Sequence, residues 1–169
     1  FIGRFVVEKD LSGLLRAYGL LRTPDTALVF VGDGKLNQEL QDYVARNQMD
    51  SVHFFGFQNR NEVSKFYAMA DVLVLPSARE TWGMVVNEAM CFSLPIVISD
   101  QVGSGEDLVE HGSNGFTFPY REPGALTAAL QRVLEMPDEE RERMGQRSRE
   151  IITEWSSSDH TAHLLEFMD

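Results

Sequence analysis

The chain has 169 residues, 43% of them hydrophobic, with a formal net charge of −11 and a pI near 4.8. That length suits one domain able to bury roughly 70% of its unfolded surface, so neither a disulfide nor a structural metal is required for folding. The acidic balance, with 15 scattered basic residues, excludes nucleic acid as an expected partner, and no apolar run approaches the roughly 20 residues that span a bilayer.

In chain order, apolar runs alternate with helical patterns, which points to parallel βαβ units rather than hairpins. Strands are predicted at Phe1–Phe5, Ala27–Val31, Val52–Phe55, Val72–Leu75, Ile96–Ser99 and Gly115–Phe118. Helices are predicted at Asp10–Leu21, Leu36–Asn47, Glu62–Ala70, Met84–Cys91, Glu106–His111, Gly124–Glu135 and Glu139–Glu154, the last with Asp138 as its N-cap. Ser156-Ser157-Ser158-Asp159 then breaks the pattern before a closing helix at Thr161–Phe167, capped by Ser158 or Asp159. The sum is a doubly wound, Rossmann-like α/β domain with a six-stranded parallel sheet and helices on both faces, covering residues 1–155, with 156–169 as a C-terminal helical extension. Because Phe1 to Arg4 open inside a strand, a preceding domain is expected.

The lone Cys91 lies in an apolar context and reads as buried filler; a single cysteine and no signal-like N-terminus fit a soluble protein of a reducing, cytoplasmic compartment. His160 and His163 are the closest histidine pair and have no further metal-type ligand beside them, so no metal site is expected.

The chemistry concentrates where the apolar strand Asp71-Val72-Leu73-Val74-Leu75, ended by Pro76, hands over to a helix through Gly83. Glu80 sits in the intervening loop and Glu88 about five residues, roughly 7.5 Å, along the helix. Between them the first N–H groups of the helix lack intrahelical partners and carry the positive end of the macrodipole, which favours a phosphate. By residue type alone Glu80 reads equally as a loop acid near a helix start, and Glu88 as a solvated helix residue. The order strand, proline, glycine, helix favours a ligand with hydroxyls at both ends and phosphate between.

Several motifs then match in order: G-R-F-V-V-E-K at Gly3 to Lys9, V-G-D-G at Val31 to Gly34, F-F-G-F at Phe54 to Phe57, the Glu80/Glu88 pair, and G-S-G-E-D-L-V-E-H-G-S-N-G at Gly103 to Gly115. From Phe1 to about Trp155 the chain resembles the C-terminal, donor-binding domain of the group 1 retaining glycosyltransferases of the GT-B fold. The resemblance implies transfer of a hexose from a nucleoside-diphosphate sugar to an acceptor hydroxyl. It also implies an N-terminal acceptor-binding domain outside this chain, through which alone any membrane contact would be made, and an isolated fragment of low activity.

By resemblance, Arg4 and Lys9 hold the donor diphosphate, with Gly3 beside them, and stabilise the leaving group as negative charge builds. Glu80 contacts the transferred sugar, Glu88 accepts from the ribose hydroxyls, and the backbone of Gly83, Met84 and Val85 takes the distal phosphate. Phe57 or Gln58 contacts the base. No obligatory metal or other cofactor is implied, since cations and a helix start replace it, and no D-x-D triplet occurs. The family commonly has glycine after this lysine; here Asp10 follows and reads as the next helix's N-cap. Trp82, where many relatives have phenylalanine, either narrows the sugar pocket or packs in the core. Phe55 reads as a core aromatic, Gly32-Asp33-Gly34 as a turn admitting another backbone, and Glu106 as either a donor contact or a cap. The base, sugar and acceptor are left open. The competing readings are a GT-B sugar-nucleotide epimerase or phosphorylase half, and a non-catalytic interaction module.

Overall fold

The computed structural model describes residues 1–21, 25–122 and 124–157. Its strands are β1 (Leu28–Phe30), β2 (Val52–Phe54), β3 (Leu73–Leu75), β4 (Ile96–Ser99) and β5 (Gly115–Phe118). Its helices are α1 (Leu11–Gly19), α2 (Asn37–Arg46), α3 (Arg60–Met69), α4 (Met84–Cys91), α5 (Gly105–Leu108), α6 (Ala125–Leu134) and α7 (Asp138–Ser157). Every strand pairing is parallel, as helical crossovers require. β3 and β4 are buried along their whole length, the signature of strands covered on both faces.

Among the described residues the expected six-stranded sheet is instead five strands in two sheets, β1-β2 and β3-β4-β5. Phe1–Phe5 forms no strand beyond a bridge between Ile2 and Val31. The reason lies at Gly3, whose φ of 149° turns the chain away after its N–H bonds the Val31 carbonyl at 3.0 Å. The segment then follows the turn after β1, with the Phe5 N–H on the Asp33 carbonyl (2.9 Å) and the Leu36 N–H on the Phe5 carbonyl (3.1 Å). A cleft of about 330 Å³, lined in part by Phe1, Ile2, Leu28, Val29, Leu73 and Val74, lies between the two sheets where a continuous ladder would have run.

The core is dominated by Phe1, Phe5, Phe30 and Phe54 beneath β1 and β2, and by aliphatic side chains around β3 and β4. Phe30 and Phe54 stack at 5.0 Å, and Phe5 meets both edge-on at 6.0 and 6.2 Å. Burying each such ring contributes on the order of 2–3 kcal/mol, so the aromatic cluster anchors the loop that leaves it at Phe5.

Helix ends differ from expectation for local reasons. Asp10 does cap α1, its carboxylate accepting from the Gly13 N–H at 3.0 Å. Asn59 caps α3 through the N–H groups of Asn61 and Glu62, starting that helix before Glu62. α5 stops at Leu108 rather than His111 because the buried Asn114 amide donates to the Leu108 carbonyl (2.9 Å) and accepts from the Glu110 N–H (2.8 Å). Asp138 is the first residue of α7 rather than its cap, the Pro137 carbonyl accepting from the Glu140 and Arg141 N–H groups. α7 runs on through Ser157 past the predicted break, whereas Thr161–Phe167, His160 and His163 lie outside the described residues.

Two expected core residues are at the surface. Cys91 is exposed, at the end of α4 where the Arg149 guanidinium donates to its carbonyl. Phe55 is 46% exposed and packs edge-on against Phe66 at 4.9 Å, on the outside of β2. The alternation in a strand explains the second, since Phe54 takes the inward side.

Candidate functional site

Three connections meet at the carboxyl ends of β1, β3 and β4. The first is the segment Gly3–Asp10, held against the turn after β1. Gly32 makes that contact possible, because a Cβ there would lie 1.9 Å from the Gly3 carbonyl oxygen. Its N–H in turn bonds the Gly56 carbonyl at 2.8 Å, bringing the loop after β2 alongside. The turn thus admits another backbone, as its glycines suggest.

The second is the loop from Pro76 to Gly83. Its backbone is joined to the first connection by the N–H groups of Ala78 and Arg79, both donating to the Glu8 carbonyl at 2.8 and 3.3 Å. The third follows β4: Glu80 donates to the Gln101 carbonyl and accepts from the Gly103 N–H, each at 3.0 Å, and Ser104 N–H reaches the Trp82 carbonyl at 3.0 Å. Glu80 is therefore fixed by its own main chain from both sides.

On this framework the Lys9 ammonium donates to Glu80 Oε2. The two side chains are only 16% and 17% exposed, so the pair is shielded more than a surface ion pair and less than a core one. Lys9 has three donors, and one contact to Glu80 leaves others for a ligand. Arg4 is exposed and forms no ion pair among the described residues. The structure thus places in direct contact the lysine and the loop acid that the resemblance assigns to one site.

Gly83 begins α4 with φ 91° and ψ 61°, a left-handed conformation that glycine adopts without steric penalty. Its carbonyl accepts from the Val86 N–H at 2.8 Å. The N–H groups of the first helical residues, Met84 and Val85, have no intrahelical acceptor and point toward the helix's positive end. Met84 is 62% exposed and Val85 half-buried, whereas Val86, Ala89 and Met90 carry the inward face.

Glu88, one turn below Met84 on the same face, is exposed, and its Oε2 accepts from the Tyr67 hydroxyl of α3 at 2.6 Å. No expectation from sequence included Tyr67, which burial and the Glu88 carboxylate together push well above the ordinary phenol range. An isolated tyrosine in an amphipathic helix reads as core, and nothing local signals a contact 21 positions away.

Of the remaining expected residues, Phe57 is 79% exposed after β2, and Gln58 folds its amide back onto the Phe55 carbonyl at 2.7 Å. Glu106 is exposed at the start of α5. Trp82 donates to Asn87 Oδ1 at 2.9 Å and packs against Trp155 of α7 at 5.5 Å, partly buried at the edge of the core.

The chain matches the family described as glycosyl transferases group 1 over residues 1–151. An uncharacterised glycosyltransferase of Methanocaldococcus jannaschii is 33% identical over 136 residues, 79% of this chain and 35% of that protein. The alpha-D-kanosaminyltransferase of Streptomyces kanamyceticus is 31% identical over 149 residues, 86% of this chain and 38% of that protein. Among solved structures, the Anabaena HepE protein in complex with UDP-glucose superposes with a TM-score of 0.78 at 26% identity, covering 90% of this chain and 43% of that one. The chain thus spans well under half the length of these proteins. No helix among the described residues is long and apolar enough to cross a membrane. Matched over nine-tenths of its length, and sharing its fold with GT-B enzymes, this chain belongs to the group 1 glycosyltransferases as a domain of their C-terminal type.

Proposed function

We propose that this domain binds the donor of a retaining glycosyltransferase, a nucleoside-diphosphate hexose, for transfer to an acceptor hydroxyl presented by the remainder of the protein. The acceptor oxygen forms a bond to the anomeric carbon on the face from which the diphosphate departs, and the C–O bond to the diphosphate breaks. The acceptor's proton leaves with the nucleoside diphosphate or solvent. The observation that carries this reading is the Lys9–Glu80 ion pair at the carboxyl ends of the strands, beside the free helix start at Gly83. Ligands of open α/β sheets bind at that end.

In this reading Lys9 and Arg4 face the diphosphate and offset the charge that builds on it as the bond breaks. The N–H groups at Gly83, Met84 and Val85 take the distal phosphate, with Gly3 leaving room for it. Glu80, steadied by Lys9 and by its own backbone bonds, accepts from sugar hydroxyls; Glu88 accepts from the ribose. Phe57 and Gln58 flank the base. The work is assigned to side chains and a helix start rather than to a metal, and the compartment to the cytoplasm, where nucleotide sugars are substrates. The relative crystallised with UDP-glucose supports the donor class.

Isothermal titration of the folded chain with UDP, GDP and ADP tests the reading. At least one is expected to bind in the micromolar to millimolar range, and Lys9→Ala to weaken it by about tenfold or more, the effect of losing one charge-assisted phosphate contact. Absence of binding to all three at millimolar concentration would overturn it.

A further inference from the structure

We infer that Tyr67 is a positioning residue for the Glu88 carboxylate, and through it sets how strongly the site prefers a ribose carrying both hydroxyls. The inference rests on the reading of Glu88 as the ribose ligand. An exposed glutamate at a helix surface ordinarily samples many rotamers, and ordering it on ligand binding costs entropy. Here one oxygen is already held. The Tyr67 hydroxyl donates to Glu88 Oε2 at 2.6 Å, the length of a charge-assisted O–H···O⁻ bond.

Tyr67 can act as a fixed point because it does not itself move freely. It is 3% exposed, and its ring stacks on Phe92 at 5.5 Å with an interplanar angle of 23°. It also belongs to α3, while Glu88 belongs to α4, so the direction of the bond is set by how two helices pack and not by α4 alone. With Oε2 engaged, Oε1 remains for a second donor, since a carboxylate accepts at both oxygens. Two adjacent ribose hydroxyls presented to a carboxylate that is already oriented gain more than the same hydroxyls presented to a mobile one.

The experiment compares the tightest-binding of UDP, GDP and ADP with its 2′,3′-dideoxy counterpart, by calorimetry, on the chain and on Tyr67→Phe, Glu88→Ala and the double variant. Tyr67→Phe keeps the ring on Phe92 and removes only the hydroxyl. It is expected to weaken the ribonucleotide about 3- to 10-fold and to leave the dideoxy form unchanged. Glu88→Ala is expected to erase the preference for ribose, and adding Tyr67→Phe to it to change nothing further. If Glu88→Ala erases the preference but Tyr67→Phe affects both ligands equally, affects neither, or tightens the ribonucleotide, Tyr67 does not position Glu88 for ribose and only the reading of Glu88 stands. If Glu88→Ala leaves the preference intact, the reading of Glu88 itself fails and this inference with it. A second readout needs no variant: the ring resonances of Tyr67 should shift when the ribonucleotide is added and stay fixed with the dideoxy form, and equal shifts with both would overturn the proposal.

Discussion

Lys9 and Glu80, 71 positions apart, share a direct ion pair because the backbone on either side of it is already joined. The Glu8 carbonyl accepts from Ala78 and Arg79, so the lysine loop and the acid loop are tied through their backbones as well as through their side chains. Removing one partner leaves the other charge shielded and alone. Lys9→Met and Glu80→Gln should each lower stability by about 1–3 kcal/mol, less than the roughly 3–5 expected for a fully buried pair. The double variant should be more stable than the sum of the two losses implies. Urea unfolding of all four proteins checks it, and strict additivity would show that the two side chains do not act on each other.

Gly83 is the position where the backbone itself is least tolerant. A side chain there would carry φ 91° and place its Cβ 3.1–3.3 Å from Leu75, Val102 and Glu80. Gly83→Ala should cost about 1–3 kcal/mol from the left-handed conformation and crowding together, and weaken nucleotide binding by disturbing the first turn of α4. Thermal unfolding reads the first and calorimetry the second. Unchanged values for both would mean that the turn adapts.

Gly32 is a sharper steric case. A Cβ 1.9 Å from the Gly3 carbonyl meets backbone that no rotamer change can relieve. Gly32→Ala should therefore force Gly3–Lys9 away from the turn, lowering stability and loosening the Lys9–Glu80 pair. Faster amide exchange at Phe5 and Leu36, whose N–H groups bond across this junction, is the expected sign.

A pH effect is expected on the opposite side of the molecule. The Arg147 guanidinium, bonded to Glu110 through two nitrogens, holds the Glu110 carboxyl below its ordinary value of 4.5, with help from Ser113. A carboxylate depressed by folding stabilises the native state above its unfolded pKa, and that contribution disappears as pH falls through the lower folded value. Both side chains are substantially exposed, so the effect is small and weakened by salt. The difference in urea midpoint between the chain and Glu110→Gln should be present at pH 7 and vanish in acid below the ordinary carboxylate range. A difference that grows with acid would contradict the assignment.

Much of this arrangement was legible in the amino-acid order because the relevant signals are local. Leu73-Val74-Leu75 and Ile96–Ser99 announce buried parallel strands, and Pro76, Gly83 and the apolar spacing of Val86, Ala89 and Met90 mark the loop and helix between the acids. Asp10 and the glycines of Val31–Gly34 likewise declare their roles. The Asn59 cap was equally readable, since asparagine followed three residues later by Glu62 is a helix-start pattern. What escaped depends on tertiary geometry. Phe1–Phe5 has strand-like composition, yet only Phe1 to Gly3 pair along β1, at Val29 and Val31, before Phe5 turns to bond the Asp33 carbonyl. Asn114 ends α5 from outside that helix, and Tyr67 reaches Glu88 from a neighbouring one. A single sequence carries no trace of such pairings.

The central claim is that one crevice, basic at Arg4 and Lys9 and acidic at Glu80 and Glu88, receives a nucleoside diphosphate. Amide chemical-shift mapping during titration of the ¹⁵N-labelled chain with UDP, GDP and ADP tests it most directly. The largest changes should fall on Gly3–Lys9, Gly83–Val85 and Glu88, with smaller ones at Phe57 and Gln58. Changes confined to the cleft between the two sheets, or none with any of the three at millimolar concentration, would contradict it.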